Sequence, residues 1–371
     1  MIDKTPPKVG EFEISLFGPG IGECVVVCLG SGQWMVVDSC TNPFTNEPIP
    51  IEYLRQLGVD PCESIKIQVI THWHADHIRG AAKIFELCNE TRIIISAALL
   101  KEEFTALVGA FSGEGSMFDR GTSSTRELAK IIRILSDRVA ANKDYKSQKL
   151  SYALADKVIF EKQIDNKEVQ IRTLSPSDKS YQNALVQFSS MMPKIQSRRI
   201  TLTSENPNHS SVALWCKLGN ICALLGADLE ETSDISTGWS AILNSEVRPR
   251  QKSKIFKVPH HGSKNAHSHD VWEKMIENSP LSLLTTKKGG RSSLPQQSDI
   301  DRIRSYSEEA YCTGDPKVKA TRINRDPIVE RSIKEDVIYR HILGNKIGQI
   351  QIRIGRNGEI RTNLRRPAFR L

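Results

Sequence analysis

The chain has 371 residues, 39% of them hydrophobic and 25% charged, so it can bury one large core and has the composition of an ordinary globular protein. Its formal net charge of +8 fits either a basic solvated surface or an anionic substrate such as nucleic acid. This composition argues against a disulfide scaffold, and no apolar stretch approaches the roughly 20 residues of a membrane span.

Eight cysteines are spread along the chain, several of them inside apolar runs such as "ECVVVCLG". Such cysteines are typical of small buried side chains in a reducing compartment. The amino-terminal residues "MIDKTPPKVGEFE" lack the apolar region of a signal peptide. We therefore expect a cytoplasmic protein with no membrane contact.

The first part of the chain predicts strands separated by short turns, followed by alternating helices and strands. The predicted elements in chain order are strands in "EFEISLFG", "ECVVVCLG" and "QWMVVDSC", a helix in "IPIEYLRQLGV", a strand in "SIKIQVITH", a helix in "GAAKIFELCN" and a strand in "TRIIISAA". Residues 97–150 interrupt this rhythm. "STRELAKIIRILSDRVAANKDY" has apolar residues at helical spacing, which indicates a helical insertion.

The second part returns to strands, with two further predicted helices. The predicted elements are strands in "DKVIFEK" and "KEVQIRTLSP", a helix in "SYQNALVQFSSMMPKIQSRR", a hairpin of "SSVALWCKL" and "NICALLGAD", a strand in "KSKIFKVPHHGS", a helix over 265–278, a strand in "PLSLLTT" and a basic terminal hairpin over 345–371. "TKKGGRSSLPQQSD" is predicted to be a loop. The order indicates a layered α/β architecture, with residues 1–371 forming one domain.

One segment, "VITHWHADHIRG", places three of the nine histidines and an aspartate within residues 72–77. It directly follows a predicted buried strand, where open α/β folds place their sites. His72 and His74 are two positions apart, so an extended loop points them to one side, and Asp76 and His77 follow. Imidazole and carboxylate ligands suit zinc, manganese or iron, and this pattern predicts a metal site.

Further polar residues stand at the ends of later apolar runs. His209 precedes one strand in "NHSSVAL", Asp228 ends "LLGAD", and His260 and His261 end "VPHH". Alone, each is compatible with a surface histidine or a capping aspartate. Together with the first segment they supply a carboxylate that can bridge two cations and imidazoles for the remaining positions.

These motifs resemble the metallo-β-lactamase superfamily. "THWHADH" is similar to its HxHxDH signature, the later motifs follow in the family order, and Asp38 in "VVDSC" resembles an aspartate that orients the site from behind the ligands. "NHSSVAL…LLGAD…KVPHHGS" looks most like the branch that contains the hydrolase domain of competence protein EC. That branch has a histidine where this chain has Leu294, which puts one substrate contact in doubt.

The resemblance implies a four-layer αββα sandwich with a helical insertion and two divalent metal ions, zinc or alternatively manganese. His72, His74 and His209 would bind the first ion, and Asp76, His77 and His261 the second. Asp228 would bridge both ions. Which of His260 and His261 is the ligand stays open, although the residue directly before the glycine is the ligand in related sequences.

The implied activity is hydrolysis of DNA or RNA by water activated between two metal ions, with Asp76 orienting the water and His260 protonating the leaving group. The alternative is hydrolysis of a small ester, lactone or cyclic nucleotide at the same site, because the fold does not select the substrate. A scaffold without activity is disfavoured because all seven expected ligand positions are filled. A protein partner encoded by a neighbouring gene is compatible with the sequence, which leaves the oligomeric state open.

Overall fold

The computed structural model describes residues 2–18, 22–102, 105, 108, 123–191, 207–287, 293–317 and 347–371. Two β-sheets of eight strands each dominate this part of the chain. Residues 192–199 of one predicted helix and residues 103–104, 106–107 and 109–122 of the predicted insertion over 97–150 lie outside the described residues.

The first sheet has the strand order β15-β14-β1-β2-β3-β4-β5-β6. Its strands are β1 (Phe12–Gly18), β2 (Cys24–Gly30), β3 (Gln33–Val37), β4 (Ile65–Ile70), β5 (Arg92–Ser96), β6 (Leu150–Ala153), β14 (Gly348–Ile354) and β15 (Ile360–Arg365). Strands β3 to β6 are parallel and the remaining neighbours are antiparallel. The predicted terminal hairpin is therefore the β14–β15 pair at the edge of this sheet.

The second sheet has the order β16-β13-β12-β11-β10-β9-β8-β7. Its strands are β7 (Lys157–Ile164), β8 (Lys167–Thr173), β9 (Leu214–Leu218), β10 (Ile221–Leu225), β11 (Ser253–Lys257), β12 (Ile276–Leu284), β13 (Glu309–Cys312) and β16 (Phe369–Arg370). Strands β10 to β13 are parallel, and β9 and β10 form the predicted hairpin. Both sheets thus combine antiparallel hairpins with a run of four parallel strands.

The central core lies between the two sheets, because alternate side chains of each strand face the other sheet. In β1, Phe12, Ile14 and Leu16 join this core, and residues from β8 to β12 contribute the opposite face. The intervening polar residues Glu13 and Ser15 point to the other side of the first sheet. The alternation explains why β1 could be predicted from the sequence.

Helices cover the outer face of each sheet. The α-helices are Ile49–Gln56, Pro61–Ser64, Ala75–Ile78, Ala81–Leu87, Ser123–Ala141, Tyr145–Lys149, Asp178–Met191, Gly238–Asn244, His269–Met275 and Gln297–Tyr306, and short 3-10 turns span Ala97–Leu100, Pro207–Ser210, His260–Gly262 and Lys264–Ala266. Apolar clusters join the earlier helices to the first sheet and the later ones to the second. The order helix, sheet, sheet, helix confirms the predicted layered α/β class and is consistent with the sandwich that the resemblance implies.

Several elements differ from the sequence expectation. The helix Gln297–Tyr306 begins inside the segment predicted to be a loop, with a capping box between Gln296 and Asp299. Strand β12 begins at Ile276, so the preceding helix is shorter than the predicted 265–278. The short strands β6 and β13 were not predicted, because four residues carry too little periodicity to identify a strand.

All eight cysteines are free thiols and seven of them are buried. This agrees with the expectation of small apolar side chains in place of a disulfide framework. Among the described helices, none combines the length and the apolar character that crossing a bilayer requires.

Candidate metal centre

The predicted site residues follow the carboxyl ends of parallel strands in both sheets. Asp38 follows β3, the segment 71–77 follows β4, Asp228 follows β10, and His260 and His261 follow β11. Backbone hydrogen bonds fix these loops against one another: Val212 N–H donates to Thr71 O at 3.2 Å, and His260 N–H donates to Ala227 O at 3.0 Å. Because the parallel runs of the two sheets end at the same side, residues about 150 positions apart meet there.

A first group consists of His72, His74 and Asp228. His72 Nε2 lies 3.1 Å from His74 Nδ1 and 4.0 Å from Asp228 Oδ2. His72 and Asp228 are fully buried, and His74 is half-buried. Two imidazole nitrogens and one carboxylate oxygen therefore converge on one point.

A second group lies on the other side of Asp228. His77 Nε2 is 3.4 Å from Asp228 Oδ1, and His261 Nε2 is 3.8 Å from Asp228 Oδ2. Asp76 Oδ2 is 3.7 Å from the same His261 nitrogen. The structure thus brings six of the seven predicted ligands together, with Asp228 between the two groups.

Apart from His72 Nε2 and His74 Nδ1, which are within hydrogen-bonding distance at 3.1 Å, the spacing of these atoms fits metal ligation better than direct hydrogen bonding. Two ligands at about 2.1 Å from a tetrahedral zinc ion lie about 3.4 Å apart, close to the separations in both groups. Among the described residues, no hydrogen bond reaches Asp228 Oδ1 and Oδ2, His77 Nε2 or His261 Nε2, although all four atoms are buried. Unsatisfied buried polar atoms are costly, and divalent cations would satisfy all four.

Asp38 and Thr71 hold the histidines of the first sheet from behind. Thr71 Oγ1 donates to Asp38 Oδ2 at 2.8 Å, so it accepts from His72 Nδ1, also at 2.8 Å. His77 Nδ1 donates to the same Asp38 oxygen at 2.7 Å. Both rings therefore carry their proton on Nδ1 and present Nε2 to the centre. We call this chain of contacts the Asp38 relay.

An equivalent relay supports His261 in the second sheet. His261 Nδ1 lies 2.8 Å from Thr285 Oγ1, and Thr285 Oγ1 donates to Glu23 Oε2. Glu23 also forms an ion pair with Lys257, whose ammonium donates to Ala227 O at 2.8 Å. We call this set the Glu23 relay. Glu23, Lys257 and Thr285 are all buried.

The charges of the two groups differ. Burial lowers the pKa of His72 well below its usual range and lowers that of His74 to about 4, so both rings are neutral and fit to bind a cation. Burial disfavours the charged form of His77 too, but the carboxylates of Asp228, Glu23 and Asp38 outweigh it and raise its pKa. Burial would raise the pKa of Asp228, but His77 and His261 hold it well below its usual range.

Several residues that carry the site have left-handed backbone. The φ angles are +60° at Asp38, +44° at Ala227, +46° at His260 and +54° at His261. Such conformations are unfavourable for side chains other than glycine and occur preferentially at functional sites. A Cβ atom at Gly262, where φ is +81°, would lie 2.8 Å from Leu284, so the loop that presents His261 has little room to change.

His209 and His260 lie outside the two groups. His209 is exposed in the 3-10 turn Pro207–Ser210, and its predicted role as a ligand of the first ion stays a prediction. His260 Nδ1 is 3.1 Å from both Glu230 Oε1 and Asn265 Oδ1, and its ring stands at the rim of the centre. Asn208 donates to the same Glu230 carboxylate at 2.7 Å.

Sequence reasoning missed the residues of the Glu23 relay. Glu23 is one acidic residue before a strand, and nothing near it in the sequence indicates a metal site. Lys257 gave a usable signal, because a lysine is unexpected at the buried end of a strand that leads into "VPHHGS". Arg353, expected in a basic carboxyl-terminal face, is buried instead and pairs with Glu13.

Residues 17–140 match the sequence profile of the metallo-beta-lactamase superfamily. The matched segment contains Asp38 and the residues 72–77, whereas Asp228 and His261 lie beyond it. Together with the two-sheet architecture, this match supports a metallo-β-lactamase fold.

Solved structures with detectable likeness include the metallo-beta-lactamase fold protein YhfI from Bacillus subtilis, with 11% identity, a TM-score of 0.39, and coverage of 81% of this chain and 95% of that chain. The metallo-β-lactamase MIM-1 from Novosphingobium pentaromativorans gives 12% identity, a TM-score of 0.33, and coverage of 74% and 84%. MEM-A1, a subclass B3 metallo-beta-lactamase from a soil metagenome library, gives 12% identity, a TM-score of 0.32, and coverage of 74% of this chain and 90% of that chain. No curated protein sequence matches the chain.

Proposed function

We propose that the protein is a metal-dependent phosphodiesterase that hydrolyses DNA or RNA. The observation that carries this proposal is the position of Asp228 between the two groups. Its Oδ2 lies 4.0 Å from His72 Nε2 of the first group and 3.8 Å from His261 Nε2 of the second, and its Oδ1 lies 3.4 Å from His77 Nε2. The proposed ligands of the first ion are His72, His74 and His209, those of the second ion are Asp76, His77 and His261, and Asp228 bridges the two.

The donor set consists of imidazole nitrogens and carboxylate oxygens, which suits zinc and also manganese. When bound, two such ions would activate a water molecule and polarise the phosphoryl oxygen under attack. Asp38 and Glu23 support the ligands without belonging to them, because their oxygens already accept hydrogen bonds from Thr71, His77 or Thr285.

The chain's own residues supply the proton transfers. Asp76 stands at the open side of the second group, with its side chain 17% exposed, and would orient the attacking water. His260 would donate a proton to the leaving oxygen. Glu230 would position that ring, because its carboxylate lies 3.1 Å from His260 Nδ1, while Nε2 lies 3.5 Å from the Asn208 amide nitrogen.

Three features favour a phosphodiester substrate. A two-ion centre suits in-line displacement at phosphorus, and the chain carries a net charge of +8. Lys287 places an ammonium group beside Asp76, where the anionic oxygens of a phosphodiester would arrive. A protein partner encoded by a neighbouring gene stays part of the proposal.

The decisive experiment incubates metal-loaded protein with plasmid DNA, single-stranded DNA and RNA, with zinc or manganese supplied separately. We expect cleavage that disappears in Asp76→Ala and Asp228→Ala but persists in Asp270→Ala, which removes an exposed aspartate paired with Lys274 on a surface helix. Intact nucleic acid in all conditions would contradict the proposal.

A small-molecule phosphodiester such as bis-p-nitrophenyl phosphate separates the nuclease from the alternative. Turnover of this compound with intact nucleic acid would favour a small substrate. A cavity of about 680 Å³ lies beside the helix Ser123–Ala141, but none of the proposed ligands lines it. It therefore gives no specific support to a small-molecule site at the metal centre.

A further inference from the structure

Lys287 is the feature of the centre that metal ligation does not explain. Its ammonium nitrogen lies 2.9 Å from Asp76 Oδ2, and its side chain is 36% exposed. Asp76 Oδ2 is also the oxygen that faces His261 Nε2 at 3.7 Å. The same carboxylate oxygen of Asp76 therefore lies beside the Lys287 ammonium and faces a proposed metal ligand, His261.

The backbone fixes the base of Lys287 and leaves its side chain free to move. Lys287 and Leu294 exchange two backbone hydrogen bonds of 3.0 Å, which hold the backbones of these two residues against each other. The side chain then reaches inward from this fixed point over four methylene groups. A flexible lysine stem allows the ammonium to exchange one anionic partner for another without a change of backbone.

The ammonium and a divalent ion cannot both use this oxygen at short range. The ammonium lies 2.9 Å from the oxygen that a metal ion would need, and two cations a few ångströms apart in a half-buried site repel each other strongly. Lys257 Nζ lies 3.9 Å from Asp228 Oδ1, but this oxygen faces His77 of the second group, whereas neutral His72 of the first group faces Asp228 Oδ2. The competition is therefore specific to the second position.

We infer that Lys287 is an exchangeable counter-ion for Asp76: it holds this carboxylate until a divalent cation takes the second position, and then pairs with an anionic oxygen of the substrate. This inference rests on the proposed metal centre. It makes occupancy of the second position weaker than that of the first, and it couples occupancy to the arrival of an anionic substrate. Leu294, which replaces the histidine of the related branch, takes part only through its backbone.

The test measures zinc affinity of both positions by chelator competition in the wild type and in Lys287→Met. We expect the second ion to bind on the order of tenfold more tightly in Lys287→Met, with the first unchanged. Lys287→Arg, which keeps the charge, should resemble the wild type. Lys83→Met removes a surface lysine paired with Glu47 at 2.5 Å and serves as the matched control.

A double-mutant cycle guards against indirect effects. In Asp76→Asn the carboxylate charge is gone, so adding Lys287→Met should leave the remaining zinc affinity unchanged. Equal or weaker binding of the second ion in Lys287→Met would overturn the inference, as would the same gain in the Asp76→Asn background. A wild type that binds no zinc would instead contradict the proposed metal centre.

The substrate half of the inference has its own measurement. With saturating zinc and bis-p-nitrophenyl phosphate, Lys287→Met should raise KM several-fold while kcat stays within about twofold, because the ammonium contributes binding of the anion. An unchanged KM would leave Lys287 as a competitor of the metal only and would overturn the substrate contact.

Discussion

The Asp38 relay and the Glu23 relay both orient metal-facing histidines, but they balance the charge of their carboxylates differently. Each places a threonine hydroxyl between a histidine Nδ1 and a buried carboxylate, and each thereby aims Nε2 at the centre. The Asp38 carboxylate serves two histidines and no lysine. The Glu23 carboxylate contacts His261 through Thr285, lies 3.8 Å from His77 Nδ1, and is neutralised by Lys257.

This difference follows from where each relay lies in the chain. The Asp38 relay is built from two adjacent strands of one sheet, with Thr71, His72 and His77 on a single loop. The Glu23 relay joins residues up to 262 positions apart and crosses from the first sheet to the second. A buried carboxylate that crosses between sheets needs a compensating charge of its own, and Lys257 provides it.

The largest effect is expected from removing Asp228, the residue that the two ligand groups share. Asp228→Ala should reduce bound zinc from about two ions per chain to less than about one, because each group loses its carboxylate oxygen. Hydrolysis should fall on the order of a thousandfold or more. Elemental analysis and initial rates measure both, and retention of two ions would refute the bridging role.

Glu23→Gln should break one relay and leave the other intact. The second ion should bind about 10- to 100-fold more weakly, whereas the first should keep its affinity. The fold should also lose about 3 kcal/mol, because Lys257 remains buried without its main partner. Zinc titration and chemical unfolding check the two effects, and an equal loss at both positions would show that the relays are not separate.

His209→Ala examines the predicted ligand that the structure leaves outside both groups. If His209 completes the first position, the affinity of that ion should fall on the order of tenfold or more while the second ion is retained. Chelator competition distinguishes the two positions. Unchanged affinity would remove His209 from the ligand set and leave a first position of two imidazoles and one carboxylate.

The smallest effects are expected from the two threonines. Thr71→Val and Thr285→Val each remove one hydroxyl from a relay without changing side-chain volume much. Each should weaken the ion on its own side by about tenfold or less, since the ring remains packed but loses its orientation. If Thr71→Val weakens binding of the second ion more than Thr285→Val does, the assignment of Thr71 to the first ion and of Thr285 to the second is wrong.

The sequence predicted the parts of the site that are local. Residues 72–77 form one loop after one strand, so their spacing alone indicated a metal site, and Asp38 was readable from its family motif. Glu23 and Thr285 were not, because their chemistry depends on a contact between the two sheets that no local pattern encodes. The same reason applies to Lys257. A lysine at the buried end of a strand is unusual, but the strand sequence does not indicate that its partner is Glu23.

The fold was readable to a similar extent and for a similar reason. Strands with alternating or wholly apolar runs were predicted, and so was the β9–β10 hairpin with its Gly-Asn turn. Strand β13 and the helix Gln297–Tyr306 were missed, since one is four residues long and the other has a polar sequence that reads as a loop. Their positions are set by packing on the second sheet.

The meeting of both sheets at one centre has a consequence for the unfolded chain. A cation shared by His77 and Asp228 would close a loop of about 150 residues, as a disulfide between those positions would. Unlike a disulfide, this link forms in a reducing environment and can be removed by a chelator. The metal centre would thus act as a reversible cross-link between the two halves of the sandwich, in addition to its chemistry.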